Sequence, residues 1–135
     1  MSEIYPEEAD YSDLVGALSK PGNKIIAELS PKKAHCMHMA VGVSGEAGEL
    51  LDAIKKWVFY GKPLDVENVI EELGDIEFYA QGLRDALGIT REQVITANIR
   101  KLNKRYPVGE YSNEQARDRA DKTDRGDGGF GHSGR

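Results

Sequence analysis

The stretch SPKKAHCMHMAVGVSGEAGELLDAIKKWVFYGKP, residues 30–63, decides the fold. Ser30 reads as an N-cap and Pro31 as the first helical residue, where a missing N–H costs no helical bond. No breaker follows before Tyr60, and Gly61-Lys62-Pro63 closes the run. The spacing therefore predicts one long helix. Within it Met37, Val41, Ser44, Gly48, Leu51 and Val58 mark a seam at helical steps, with small residues that allow close packing.

Working outward, the next run predicts a second long helix from Asp65 to Leu87, with Gly88 just past its end. Its seam is Leu73, Ile76, Ala80, Leu83 and Leu87, alternating steps of three and four as in antiparallel helix packing. Thr90-Arg91-Glu92-Gln93 is a capping box, opening a third helix that carries Ile95, Ile99 and Leu102 inward and stops before Pro107. Upstream, Glu7–Leu18 predicts a short helix ended by Lys20-Pro21-Gly22, and Asn23–Leu29 leaves room for a further turn or two. Strand signals are nearly absent, and the single Asp-Gly, at Asp127–Gly128, sits in a polar tail. The fold class is all-α, an antiparallel helical bundle of about four helices that pairing of subunits would complete.

Three segments divide the chain: an N-terminal helical extension over 1–30, the bundle over 31–112, and a polar, glycine-rich tail over 113–135. Asn113–Asp124 reads as a frayed helix at most, and Phe130 is the only large apolar residue after it. Such a tail buries too little surface to offset its ordering entropy, so disorder is expected.

The oddity lies inside the two long helices. Gly45-Glu46-Ala47-Gly48-Glu49-Leu50-Leu51 and Glu71-Glu72-Leu73-Gly74-Asp75-Ile76 each place two carboxylates three residues apart among apolar neighbours. Residues so spaced have Cβ atoms about 5–6 Å apart on one face, so each pair can hold one cation. Packed antiparallel, the helices would bring four carboxylates around one pocket. A lone Glu-x-x-Glu is ordinarily a solvated face; two matched pairs with apolar residues on both sides are not. Like charges at short range repel and raise one another's pKa unless neutralised. Hard divalent cations with oxygen ligands do this, and Mg²⁺ held by carboxylates and substrate phosphates is a common arrangement. Gly42, Gly45, Gly48 and Gly74 each cost about 1 kcal/mol against Ala in a helix, which suggests something approaches the backbone there. Di-iron bundles need Glu-x-x-His pairs, and neither motif has a histidine at that position.

These residues resemble the paired motif of the all-α nucleoside triphosphate pyrophosphohydrolases, in particular the MazG-like branch, whose relatives include the dimeric dUTPases and phosphoribosyl-ATP pyrophosphohydrolase. The similarity runs from about 34 to 118 and includes the Gly45–Lys56 segment, Tyr60-Gly-Lys-Pro63, Glu71–Asp75 and Asn98–Pro107. It implies hydrolysis of a (deoxy)nucleoside triphosphate to the monophosphate and pyrophosphate, serving nucleotide-pool control. It also implies Mg²⁺, with Mn²⁺ as a substitute, on Glu46, Glu49, Glu72 and Asp75, and a homodimer or dimer of dimers. A non-catalytic metal- or nucleotide-binding bundle acting as an interaction protein is the alternative, and loss of the acidic pairs would have favoured it.

On the third helix Asn98, Lys101 and Arg105 form a polar stripe that would meet phosphate and sugar, although basic residues near a helix C-terminus also complement its dipole. Lys56 lies two turns beyond Glu49 and is a further candidate for phosphate. Either His35 or His38 could line the base end of a pocket, and Tyr79, one turn beyond Asp75, is a candidate for ligand contact. His35 and His38 sit ~16 Å along the axis from Glu46 and Glu49, too far to share their metal. Cys36 is read as a packing residue.

Composition closes off other classes. Eighteen Lys and Arg against twenty-three Asp and Glu leave no basic patch for a nucleic-acid polymer. The single cysteine excludes an intrachain disulfide. The acidic opening of the chain lacks the apolar stretch of a signal peptide, and no run is long enough to span a bilayer, so a cytoplasmic protein without membrane contact is expected.

Overall fold

The computed structural model describes residues 10–125, with side chains described as far as 122. Among the described residues seven helices follow one another: α1 Tyr11–Leu18, α2 Gly22–Glu28, α3 Pro31–Tyr60, α4 Val66–Leu87, α5 Arg91–Arg105, α6 Asn113–Asp118 and α7 Ala120–Arg125. The described residues contain no strand, as expected of an all-α chain. None of these helices is long and apolar enough to cross a membrane.

The ends of the long helices are written in their caps. Ser30 Oγ accepts from the Lys33 amide at 3.1 Å. Gly61 takes φ 68°, a left-handed value that favours glycine, and the Lys62 amide bonds back to the Lys56 carbonyl at 3.1 Å. Asp65 caps α4 through the Asn68 amide at 3.0 Å. The capping box of α5 is complete, with Gln93 N–H to Thr90 Oγ1 at 3.0 Å and Thr90 N–H to Gln93 Oε1 at 2.8 Å.

The dominant packing is α3 against α4, antiparallel across the turn at 61–65. The register can be followed contact by contact. Met39 lies against Gly82, Gly42 against the Tyr79 ring, Glu46 against Glu72 and Asp75, and Ala53 shares a cavity wall with Asn68. Each step forward on α3 is matched by an equal step back on α4.

That register corrects the seam expected on α3. Met37, Val41, Leu51 and Val58 face away from α4 and are 57–65% exposed, whereas Met39 and Ala53 are buried. The most apolar stripe of a helix need not be the one its nearest neighbour covers. Here the close approach of two backbones selects small residues, and the carboxylates come with them. On α4, Ile76, Ala80 and Leu83 are half-buried as expected, while Leu73 and Leu87 are exposed.

The main neighbours of α5 are α6 and α7 rather than the hairpin. Ile95, Ile99 and Leu102, expected to point inward, are therefore exposed in a single copy of the chain. Residues 113–125, expected to be frayed or disordered, form α6 and α7. Their anchor is Arg105, whose Nε donates to Asp121 Oδ1 at 2.9 Å, with both side chains shielded from solvent. A buried ion pair thus ties this polar segment to α5. The expected glycine-rich end of the tail and the first residues of the N-terminal helix lie outside the described residues.

Candidate functional site

Midway along the α3–α4 interface, Glu46, Glu72 and Asp75 each offer a carboxylate oxygen, and these oxygens lie within 4.8 Å of one another. Glu46 comes from α3 on the stripe that also carries Met39 and Ala53, and Glu72 and Asp75 come from α4 one turn apart. The site therefore follows from the packing register itself: whatever holds Gly42 against Tyr79 also holds Glu46 against Glu72.

The electrostatics of the trio are those of an anion cluster short of a counter-charge. The Glu72 carboxyl is pushed up from 4.5 to about 7, chiefly by the hydrogen bond it shares with Glu46. Partial burial and the charges of Glu46, Glu49 and Asp75 add to the shift. Three carboxylates from two rigid helices make an all-oxygen donor set, which fits a hard divalent ion that keeps some of its waters for substrate.

Glu49, the fourth expected carboxylate, is exposed and stands beside the trio rather than in it; its charge acts on Glu72 and on Lys56. Lys56 is paired with Asp52 at 2.9 Å, which holds the Asp52 carboxyl below the usual carboxylate range and the Lys56 ammonium above its own. Lys56 also lines a cavity of about 510 Å³ under the hairpin turn, together with Lys62 and Asn68.

The other expected contact residues are placed as follows in a single copy of the chain. Tyr79, one turn beyond Asp75, packs its ring on Gly42 and edge-on to His38, with centroids 6.0 Å apart, so these two residues tie the helices together beside the trio. Asn98 and Lys101 are exposed on α5, away from the hairpin. Arg105, expected to meet phosphate, is engaged by Asp121, whose carboxyl that contact holds below the usual range.

Sequence reasoning missed two features. One is the second cavity, about 620 Å³, lined by His35, Met39, Phe78, Gln81, Gly82 and Asp85 among others, which opens where α3 begins and α4 ends. Extending the acidic pairs along an antiparallel register would have located it. The other is Gly82, which has no acidic neighbour in sequence to draw attention yet receives Met39.

A family model described as the MazG nucleotide pyrophosphohydrolase domain matches residues 36–109. The match takes in α3 from its second turn, all of α4 and all of α5, and so contains every carboxylate of the site. No curated protein and no solved structure matches the chain.

Proposed function

Since the chain belongs to the MazG nucleotide pyrophosphohydrolase family, we propose that it hydrolyses a (deoxy)nucleoside triphosphate to the monophosphate and pyrophosphate, using Mg²⁺ or Mn²⁺ at Glu46, Glu72 and Asp75. The observation that carries this reading is the convergence of those three carboxylates between two helices, with Glu72 raised to about 7 chiefly by its hydrogen bond with Glu46. Members of the family typically depend on a metal. When bound, the ion would supply charge neutralisation for the phosphates and bring a water close to phosphorus.

The rest of the work belongs to the chain. In the cleavage, a water oxygen bonds to the α-phosphorus, the bond to the α–β bridging oxygen breaks, and pyrophosphate leaves with that electron pair. Glu49, beside the trio, takes the proton the water gives up. Lys56 and Lys62, under the hairpin turn, face the charge that develops on the departing pyrophosphate.

A homodimer or dimer of dimers forms part of the proposal. Among the described residues only Met39 and Ala53 are buried apolar side chains, while the outward stripe of α3 and the apolar face of α5 lie open. A second copy of this chain is the partner that carries matching apolar stripes. Through it, Asn98 and Lys101 of one copy would reach the site of the other.

The test is release of pyrophosphate from the eight common nucleoside triphosphates, with and without a chelator. Diphosphate and inorganic phosphate as products would place the attack at the other bond, and full turnover in excess chelator would remove the metal from the proposal. Light scattering on the purified protein checks the assembly.

A further inference from the structure

The start of the chain and α5 carry opposite charge. Residues 1–19 hold five acidic side chains, Glu3, Glu7, Glu8, Asp10 and Asp13, and no basic one. α5 holds five Lys and Arg against the single Glu92, and it stays basic with Arg105 committed to Asp121. Each of the two segments also has an apolar stripe. On α1 it runs Tyr11, Val15, Leu18, and on α5 Ile95, Ile99, Leu102, in the same steps of four and three. Each stripe is about 10 Å long. All six side chains are exposed in one copy of the chain.

α1 and α2 take no part in the main helix packing, which joins α3 to α4 and α5 to α6 and α7. The arm they form nevertheless has a set shape. Lys20, just past α1, pairs with Glu28 at the end of α2 across the Pro21-Gly22 bend. Lys33 on α3 then donates from Nζ to the Glu28 carbonyl at 3.2 Å. An arm of fixed shape with an uncovered apolar face fits a surface outside its own copy.

We infer that α1 of one copy docks antiparallel along α5 of a second copy, apolar stripe on apolar stripe. The inference rests on the assembly proposed above and deepens it by naming the segments that meet. It brings in the N-terminal arm, which lies outside the family match at 36–109. A second copy is the occupant because this chain supplies both halves, matched in length, spacing and sign of charge. The antiparallel sense follows from the helix ends. It sets Asp10 and Asp13, at the start of α1, against the basic last turns of α5, which carry Lys101 and Lys104. It also sets Arg91 against the end of α1, whose last turn has no basic residue. Arg91 opens α5, where its own helix dipole disfavours a cation, and the carbonyl end of another helix is a favourable neighbour for it.

Two readouts test the docking on the whole chain. For the first, copies with different tags, one carrying Ser19→Cys and the other Glu92→Cys, both with Cys36→Ala, are co-expressed and treated with a short bis-maleimide. A covalent dimer joining both tags is expected. Asn103→Cys, near the far end of α5, should give little when it replaces Glu92→Cys. For the second, light scattering over a dilution series measures assembly. Leu18→Ser should weaken it by about tenfold or more, because Leu18 is 76% exposed and adds little to packing within one copy. Asp10→Lys with Asp13→Lys should weaken it about threefold to tenfold at low salt, and by less as salt rises. Three results overturn the inference while the assembly stands: linkage through Asn103→Cys instead, closure within a single copy that carries both Ser19→Cys and Glu92→Cys, or unchanged assembly in both sets of variants. A wild type that stays monomeric removes the assembly itself, and the docking with it.

Discussion

Glu46 and Glu72 bring their carboxyls together across the α3–α4 interface, and that contact pushes the Glu72 carboxyl up from 4.5 to about 7. The folded chain therefore binds the Glu72 proton more tightly than the unfolded chain does, between 4.5 and about 7. The stability linked to Glu72 is greatest below 4.5 and is lost as pH rises toward 7. Without metal, Tm should fall between about pH 5 and about pH 8, and Mg²⁺ should remove most of the fall by taking the proton's place. Glu72→Gln should flatten the metal-free profile. A wild-type profile that is already flat would mean that the Glu72 carboxyl is not raised in solution.

Glu49→Gln tests the fourth carboxylate from the opposite direction. The change removes one of the charges that bear on Glu72, so the metal-free protein should be no less stable than the wild type. Turnover should fall by roughly a hundredfold or more, because Glu49 is the proposed proton acceptor. A marked loss of metal-free stability would instead identify Glu49 as a structural partner of Lys56.

Two glycines should respond in opposite senses to the same methyl group. At Gly42 a Cβ would run into the Tyr79 ring, and the overpacking should cost about 1–3 kcal/mol in chemical denaturation. At Gly74 a Cβ meets open space within one copy of the chain, so alanine should add up to about 1 kcal/mol from helix propensity. A destabilised Gly74→Ala would show that another surface lies against α4 there, and light scattering would tell whether it belongs to a second copy.

Arg105→Ala should act on structure before it acts on substrate. The guanidinium is committed to Asp121, and Arg105 Nη2 and Asp121 Oδ2 are buried without a hydrogen-bond partner, so the pair is sensitive to loss of either member. Both Arg105→Ala and Asp121→Asn should lower Tm and open 106–125 to limited proteolysis, with KM little changed. A raised KM with unaltered proteolysis would return Arg105 to the phosphate.

Much of this was legible beforehand because helix ends and acidic pairs are local signals. Ser30-Pro31, Gly61, Asp65, Gly88 and the Thr90–Gln93 box set the helix bounds within a residue or so. Spacing and one antiparallel turn led to the expectation that Glu46, Glu49, Glu72 and Asp75 meet at one pocket, and of these Glu46, Glu72 and Asp75 converge. What the sequence hid is tertiary. The outward face of α3 is more apolar than the inner one, so hydrophobicity alone pointed Met37 and Leu51 inward where Met39 and Ala53 belong. The order of α6 and α7 depends on a charge pair sixteen residues apart, Arg105 and Asp121, and no periodicity announces such a pair.

The two glycine contacts make the helix pair a joint that could slide but has detents. Met39 seats at Gly82 and Tyr79 seats at Gly42, a large side chain from each helix dropping into a notch in the other. A slip of one turn, about 5.4 Å, would unseat both and carry Glu46 away from Glu72 and Asp75 together. The alignment of the carboxylates is thus set by residues that never touch the ion, and widening or blocking a notch should detune metal affinity from two turns away. Gly82, which bears no charge and belongs to no acidic motif, acts as an adjustment screw for the acidic centre.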